Sequence, residues 1–416
     1  MKKISTLLLL LLLTFAASAQ NIDYANTKVD YTRLPLTPLN KSIKNYQVLV
    51  IADYLRKVEQ QKADYAAKGA KAESDYQLAM KQYWEKRKTD SIAYENSLNV
   101  WFRLTPQQQA VTPRPQMPQT PPPVKNTEGE PVYEKTFNTE LLGTTYIKLE
   151  GFARLPEKAL IIQLNLTGYE AEEAKPSTQK KQIKRADGKT VDSTVYVYSF
   201  NYRHIIKTKL IQPDGKFLVD EAFGPSLNFS NYTSKYFFTA ADADNFWKTS
   251  KASEIGAIQD KIVEDNLKLI NDQLNSNYGY VPASRNVMIA WVNEKKNYDD
   301  FKDALNNAKN GYALIGKKET AAQGEDYLRK AIANWEKALT ESNPKNRKAR
   351  VDEDVTESLL MNLSEVYVWL NDFTKAQEYL TRLDGFKLSH KENGIKNSTK
   401  AFLAEQSPRV TANKGI

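Results

Sequence analysis

The stretch Ala159-Leu160-Ile161-Ile162-Gln163-Leu164-Asn165-Leu166 decides the fold. Its first half is continuously apolar and its second half alternates apolar with polar, which predicts a strand whose inner face is buried throughout. Val195-Tyr196-Val197-Tyr198-Ser199-Phe200 repeats the signal with β-branched and aromatic residues, and Tyr146 to Glu150 alternates in the same way. Ala186-Asp187-Gly188-Lys189 supplies a turn within a first hairpin. Pro213-Asp214-Gly215, between Lys207–Ile211 and Lys216–Val219, supplies a second with explicit turn chemistry. With a last strand in Asn228–Phe238, residues 136 to 285 read as a mainly antiparallel sheet with one solvated face, closed by a helix. That helix, Ala252 to Leu274, carries Ile255, Ile258, Ile262, Leu267, Ile270 and Leu274 on one stripe.

Upstream, Tyr46-Gln47-Val48-Leu49-Val50-Ile51 reads as a buried strand joining that sheet, and residues 20 to 53 as an extended segment ending in it. Residues 54 to 104 change character: Ala, Gln, Glu and Lys dominate, all good helix formers, with no Pro and Gly69 alone as a breaker. Tyr54, Val58, Tyr65, Tyr76, Met80, Tyr83, Trp84, Ile92 and Tyr94 recur at helical spacing, so the insertion is expected to be a helical hairpin broken near Gly69, its Tyr and Trp stripe a packing face. Residues 105 to 135 hold Pro106, Pro113, Pro115, Pro118, Pro121, Pro122, Pro123 and Pro131 among Gln and Thr, a composition that builds no core and favours extended polyproline II.

Residues 286 to 388 are helical with short breaks. Ala331-Ile332-Ala333-Asn334-Trp335-Glu336-Lys337-Ala338-Leu339 with Pro344 after it, and Leu363-Ser364-Glu365-Val366-Tyr367 followed by Asn371-Asp372-Phe373-Thr374-Lys375-Ala376 and Tyr379-Leu380, resemble two tetratricopeptide repeats over residues 297 to 385. The likeness departs from the pattern at Ser364, where a small Gly is usual, and in about ten extra residues, Gly316 to Glu325, before the second helix of the first unit. The resemblance implies that Ala338, Tyr367 and Ala376 sit at close helix crossings. It also implies a protein- or peptide-binding groove presented by the first helices, with Asn362, Glu365 and Trp369 as its candidate residues. Residues 389 to 416 read as a flexible tail.

Lys2 and Lys3, the Leu7–Leu13 run and Ala17-Ser18-Ala19 form a cleavable secretory signal over residues 1 to 19, with cleavage expected before Gln20. The apolar run is too short to span a bilayer, so no integral span is expected after cleavage. The absence of Cys fits a large exported chain whose core needs no disulfide. A periplasmic location is the first expectation, outer-membrane association or secretion the second. The formal charge of +9 is spread thinly, which argues against nucleic acid as a partner.

Chemistry is sparse. The chain has two His, His204 and His390, and no Cys, which excludes zinc sites built on those ligands. No phosphate-cradling Gly-rich loop occurs, and no cofactor is expected. Asp242-Ala243-Asp244-Asn245 reads as a helix start capped by Thr239 rather than a calcium loop. Asp90-Ser91-Ile92 and Asp192-Ser193-Thr194 resemble the short motif that some Gram-negative bacteria O-glycosylate after export, which makes Ser91 and Ser193 candidate modification sites.

The expected fold class is α+β: a mainly antiparallel β domain with an inserted helical hairpin, then a tetratricopeptide-like helical region. The expected function is a non-enzymatic periplasmic adaptor or scaffold binding other proteins or peptides in an envelope or outer-membrane assembly. Two alternatives stand beside it. One is a glycan or peptidoglycan binder using the aromatic row Tyr196, Tyr198, Phe200 and Tyr202. The other is a cryptic hydrolase working with two carboxylates.

Overall fold

A computed structural model of the chain describes residues 22 to 415, apart from 128, 185–186 and 294–297. The leader expected over residues 1 to 19 lies outside the described residues. In chain order the elements are β1 (Ile22–Arg33), β2 (Asn45–Ala52), α1 (Leu55–Phe102), α2 (Pro106–Val111), α3 (Thr139–Tyr146), β3 (Ala159–Ala171), β4 (Lys175–Lys184), β5 (Thr190–Ile211), β6 (Phe217–Ala222) and β7 (Ser230–Thr233), followed by α4 (Ala240–Tyr278), β8 (Val281–Val292), α5 (Asp299–Ile315), α6 (Ala321–Leu339), α7 (Glu353–Trp369), α8 (Phe373–Leu383) and α9 (His390–Asn413). The fold is α+β.

The larger sheet runs β2-β3-β5-β4, with β6 and β7 also on β5. β2 lies parallel to β3, Val48 opposite Ile162 and Val50 opposite Leu164, and the other pairings are antiparallel. The parallel step follows from the long excursion between the two strands, since a two-residue hairpin joins only antiparallel neighbours. Leu160, Ile162, Leu164, Leu166, Ile206 and Leu210 bury one face against Val263, Leu267, Ile270 and Leu274 of α4. Gly215 takes φ 84° in the turn between β5 and β6, a left-handed conformation that the Pro-Asp-Gly signal calls for. α4 is longer than the apolar stripe alone implies: it starts behind Thr239, whose side chain accepts the Asp242 N–H.

The second sheet is a two-stranded ribbon, β1 antiparallel to β8, in register from Ile22–Val292 to Arg33–Val281. Its Val29, Val287, Ile289 and Val292 pack into the core of α5 to α8 with Phe301, Trp335 and Leu359. This corrects two expected boundaries. Of the segment expected to run on into the large sheet, β1 packs in the C-terminal core while Leu39 and Ile43 join the core of the large sheet, and a division between residues 285 and 286 cuts through β8. The pairing joins residues far apart in sequence, so no local turn signal announced it.

Three further expectations are corrected. Residues 55 to 102 form one uninterrupted helix, not a hairpin: a single helical Gly costs only about 1 kcal/mol against Ala, too little to break so long a run. Residues 390 to 413 are helix α9, not a loose tail. Ser389 and Glu392 form a capping box at its start, and Phe402 and Leu403 are buried. Near its end Arg409 donates to the carbonyls of Leu34 at 2.7 Å and Ser276 at 2.8 Å, tying the last helix to the end of α4. Of the extra residues expected from Gly316 to Glu325, the second half is already helix, because α6 begins at Ala321.

Candidate functional site

The feature that sets this chain apart is an arm built from α1 and the extended chain that returns beside it. Among the described residues of α1 only Val58, at its base, is buried. At ~1.5 Å per residue a helix of this length spans about 70 Å, and a polyproline-like return from Thr112 to Tyr133 covers nearly the same distance. The two are joined along their length. Trp101 Nε1 donates to the Thr112 carbonyl at 2.9 Å, and Arg87 Nη1 to the Pro118 carbonyl at 3.1 Å. Lys125 meets Glu73 at 2.5 Å, and Lys62 lies 5.5 Å from the Tyr133 ring centroid. From Arg87 to Glu73 the helix rises about 21 Å, and from Pro118 to Lys125 an extended chain covers about 22 Å, so the strapping stays in step.

The half-buried residues of α1 include Tyr65, Tyr76, Tyr83, Tyr94 and Trp101, one stripe at helical spacing. The Tyr positions and Trp101 therefore form a packing face whose partner is the Pro-rich segment, but Trp84 and Ile92, expected on the same stripe, are exposed at 61% and 53%. Where Gly69 supplies no side chain, helix and return part to leave an open groove of about 720 Å³, lined by Tyr65, Tyr76, Pro123 and Lys125 among others.

The far end of the arm is a built hook. Thr105 and Gln108 cap α2 reciprocally, and Gln109 Nε2 donates back to the Trp101 carbonyl at 3.1 Å. This order leaves Val100, Phe102 and Val111 exposed at 64%, 60% and 81%. Midway along, Trp84 is 61% exposed beside Tyr83. The sequence reading did not single out this end. The signal lay in Val100 and Phe102 beyond the Tyr stripe, and in a run from 96 to 127 without Asp or Glu.

The residues proposed for a groove lie elsewhere and are enclosed. Asn362 is buried, and its amide donates to the Ala290 carbonyl at 2.8 Å and accepts the Ala290 N–H at 2.9 Å, satisfying the outer edge of β8. Glu365 is buried against Arg285, and Trp369 is half-buried, its ring 4.9 Å from Phe402 and 5.3 Å from Tyr31. None of the three presents an open binding face, because the ribbon and α9 cover the surface expected to be free. Ala338, Tyr367 and Ala376 all lie in the C-terminal core. Tyr367 and Tyr379 stack at 5.7 Å and both donate to Glu336 Oε1, linking α6, α7 and α8.

The aromatic row on β5 is likewise covered. Phe200 is buried, Tyr198 stacks on Trp247 of α4 at 5.2 Å, and Tyr232 closes the cluster. It serves packing rather than an open glycan platform. His204 is fully buried between the Tyr54 and Phe137 rings, and its Nε2 comes within 3.2 Å of Glu134 without hydrogen-bond geometry. Ser91 sits in the distal half of α1 and Ser193 opposite Lys181 in the β4–β5 hairpin, both half-buried. Among the described residues no cluster of His, Asp or Glu is placed to hold a metal ion, and no helix is long and apolar enough to cross a membrane. No family model, curated protein or solved structure matches the chain.

Proposed function

We propose that this protein is a non-catalytic adaptor of the bacterial cell envelope, and that the arm is its working part. The observation that carries the reading is the strapped α1, a helix of 48 residues whose exposed side chains include Leu78, Trp84 and Ile92. A helix that projects alone gains no stability from tertiary packing, the main source of helical stability in proteins. Bracing it with a Pro-rich strand makes a stiff spacer that holds a contact surface far from the body. The signal pattern at residues 1 to 19 supports export to the periplasm.

The test is site-specific photocross-linking in cells, with the reactive side chain at position 84. A discrete protein adduct at 84, absent when the reactive group is placed at buried Leu267, supports the adaptor. Absence of any protein adduct along α1 overturns it.

A further inference from the structure

The distal end of the arm has a chemistry of its own. Between residues 96 and 127 there is no Asp or Glu, and Arg103, Arg114 and Lys125 are its cations. Arg114 lies 5.9 Å from the Phe102 ring centroid, and Arg103 follows the helix directly. Lys125 is paired with Glu73 lower on the arm, so Arg103 and Arg114 are the cations that share the distal end with the exposed apolar groups. A flexible loop would fold Phe102, Val100 and Val111 inward. Here the Thr105–Gln108 capping box and the Trp101–Thr112 bond hold them outward.

We infer that the tip of the arm docks on an anionic phospholipid surface, with Phe102, Val100 and Val111 entering the interfacial layer and Arg103 and Arg114 meeting lipid phosphates. Two arguments favour lipid over an acidic protein. The charge at the tip itself, residues 100 to 114, is positive, with Arg103 and Arg114 and no carboxylate, and cations beside apolar groups are what anionic interfaces attract. The tip is also convex and small. A stable protein interface buries roughly 800 Å² on each partner, more than residues 100 to 114 at a helix end readily offer, whereas interfacial insertion grows with each added apolar group. The contact would be weak, reversible and sensitive to salt. It rests on the arm being the working part, and gives the adaptor a second attachment at a membrane surface.

The experiment is co-sedimentation of the full chain with vesicles of phosphatidylglycerol and phosphatidylcholine, against vesicles of phosphatidylcholine alone, with polyglutamate as an acidic polymer. All variants keep the same N-terminus, so differences between them report the tip, and circular dichroism checks that each remains folded. Sedimentation with anionic vesicles is expected, with little on phosphatidylcholine and loss at high salt. Arg103→Ala with Arg114→Ala should weaken partitioning about thirtyfold, from ~1 kcal/mol for each cation near such a surface. Phe102→Ser with Val111→Ser should weaken it at least as clearly at low salt. Three results overturn the inference: no binding to anionic vesicles; binding that ignores the Phe102 and Val111 changes, which marks general adsorption of a basic protein; or binding to polyglutamate as strong as to vesicles, which points to an acidic protein. A protein adduct at position 84 with no vesicle binding removes the lipid contact and leaves the adaptor. Vesicle binding with no adduct anywhere on α1 removes the adaptor instead.

Discussion

Arg285 and Glu365 meet fork to fork, Nε to Oε1 at 2.8 Å and Nη2 to Oε2 at 2.7 Å. The same carboxylate accepts from Trp369 Nε1 at 3.0 Å and from Thr399 Oγ1 at 2.7 Å, so one side chain of α7 joins β8 and α9. Removing one member of a buried pair leaves the other charge without compensation, at a cost of roughly 3–5 kcal/mol. Glu365→Ala should therefore lower the denaturant midpoint strongly. Lys375→Ala, at an exposed residue whose ammonium meets the Tyr367 hydroxyl and ring, should cost under about 1 kcal/mol. Equal midpoints for the two variants would show that the network adds nothing.

The misreading of Glu365 and Asn362 shows where the sequence stops being legible. Polar side chains on a helix are mostly solvated, and nothing next to these two says otherwise. What encloses them is β8, its partner β1 some 250 residues upstream, and a helix that composition alone marks as a tail. Some local signals read correctly, although the alternation at Tyr146–Glu150, expected as a strand, is the end of α3 and the loop after it. Pro213-Asp214-Gly215 foretells the β5–β6 turn, Thr239 the start of α4, and the Tyr stripe of α1 a packing face. The arm was half legible: the helix and the Pro-rich stretch are each evident, but that one straps the other depends on matched lengths rather than on any residue pattern.

Glu357, buried on α7, gives a pH dependence. Burial, and then the nearby carboxylates of Glu392, Asp354 and Glu353, push its carboxyl up to about 7 from an ordinary 4.5. The folded state thus holds this proton more tightly than the unfolded chain. The resulting stability is full below pH 4.5 and is lost as pH rises through about 7. Denaturant midpoints measured across that window should fall, and Glu357→Gln should flatten the fall. A slope that persists in Glu357→Gln would assign the effect to another group.

The arm should be separable from the body. Tyr54 and Val58 are buried in the sheet core, and the Tyr54 hydroxyl donates to the Lys135 carbonyl at 2.6 Å, so the two feet of the arm stand side by side. Deleting residues 60 to 130 and joining the ends by a short Gly-Ser link should leave a cooperatively folding body, with the melting temperature within a few degrees of the intact chain. An uncooperative melt would mean that α1 belongs to the core.

The helix crossing between α5 and α6 brings Gly311 and Gly324 together, and it yields the sharpest test of packing. A Cβ placed on Gly324 would lie 2.6 Å from the Ile315 nitrogen and 2.8 Å from its Cα, and both obstacles are backbone. Gly311 faces the same crossing, with Leu328 2.6 Å from where its Cβ would be. Gly324→Ala gains helix propensity of up to ~1 kcal/mol, but it must force the two helices apart. Overpacking of this kind costs roughly 1–3 kcal/mol, so the net effect should be destabilising. Gly394 in α9 is the control: it is also helical, and a Cβ there meets nothing within 4 Å. Gly394→Ala should stabilise by up to about 1 kcal/mol, because only the propensity gain remains. The same chemical change should thus shift the melting temperature in opposite directions at the two positions. If Gly324→Ala raises it as Gly394→Ala does, α5 and α6 do not cross where Gly311 and Gly324 meet.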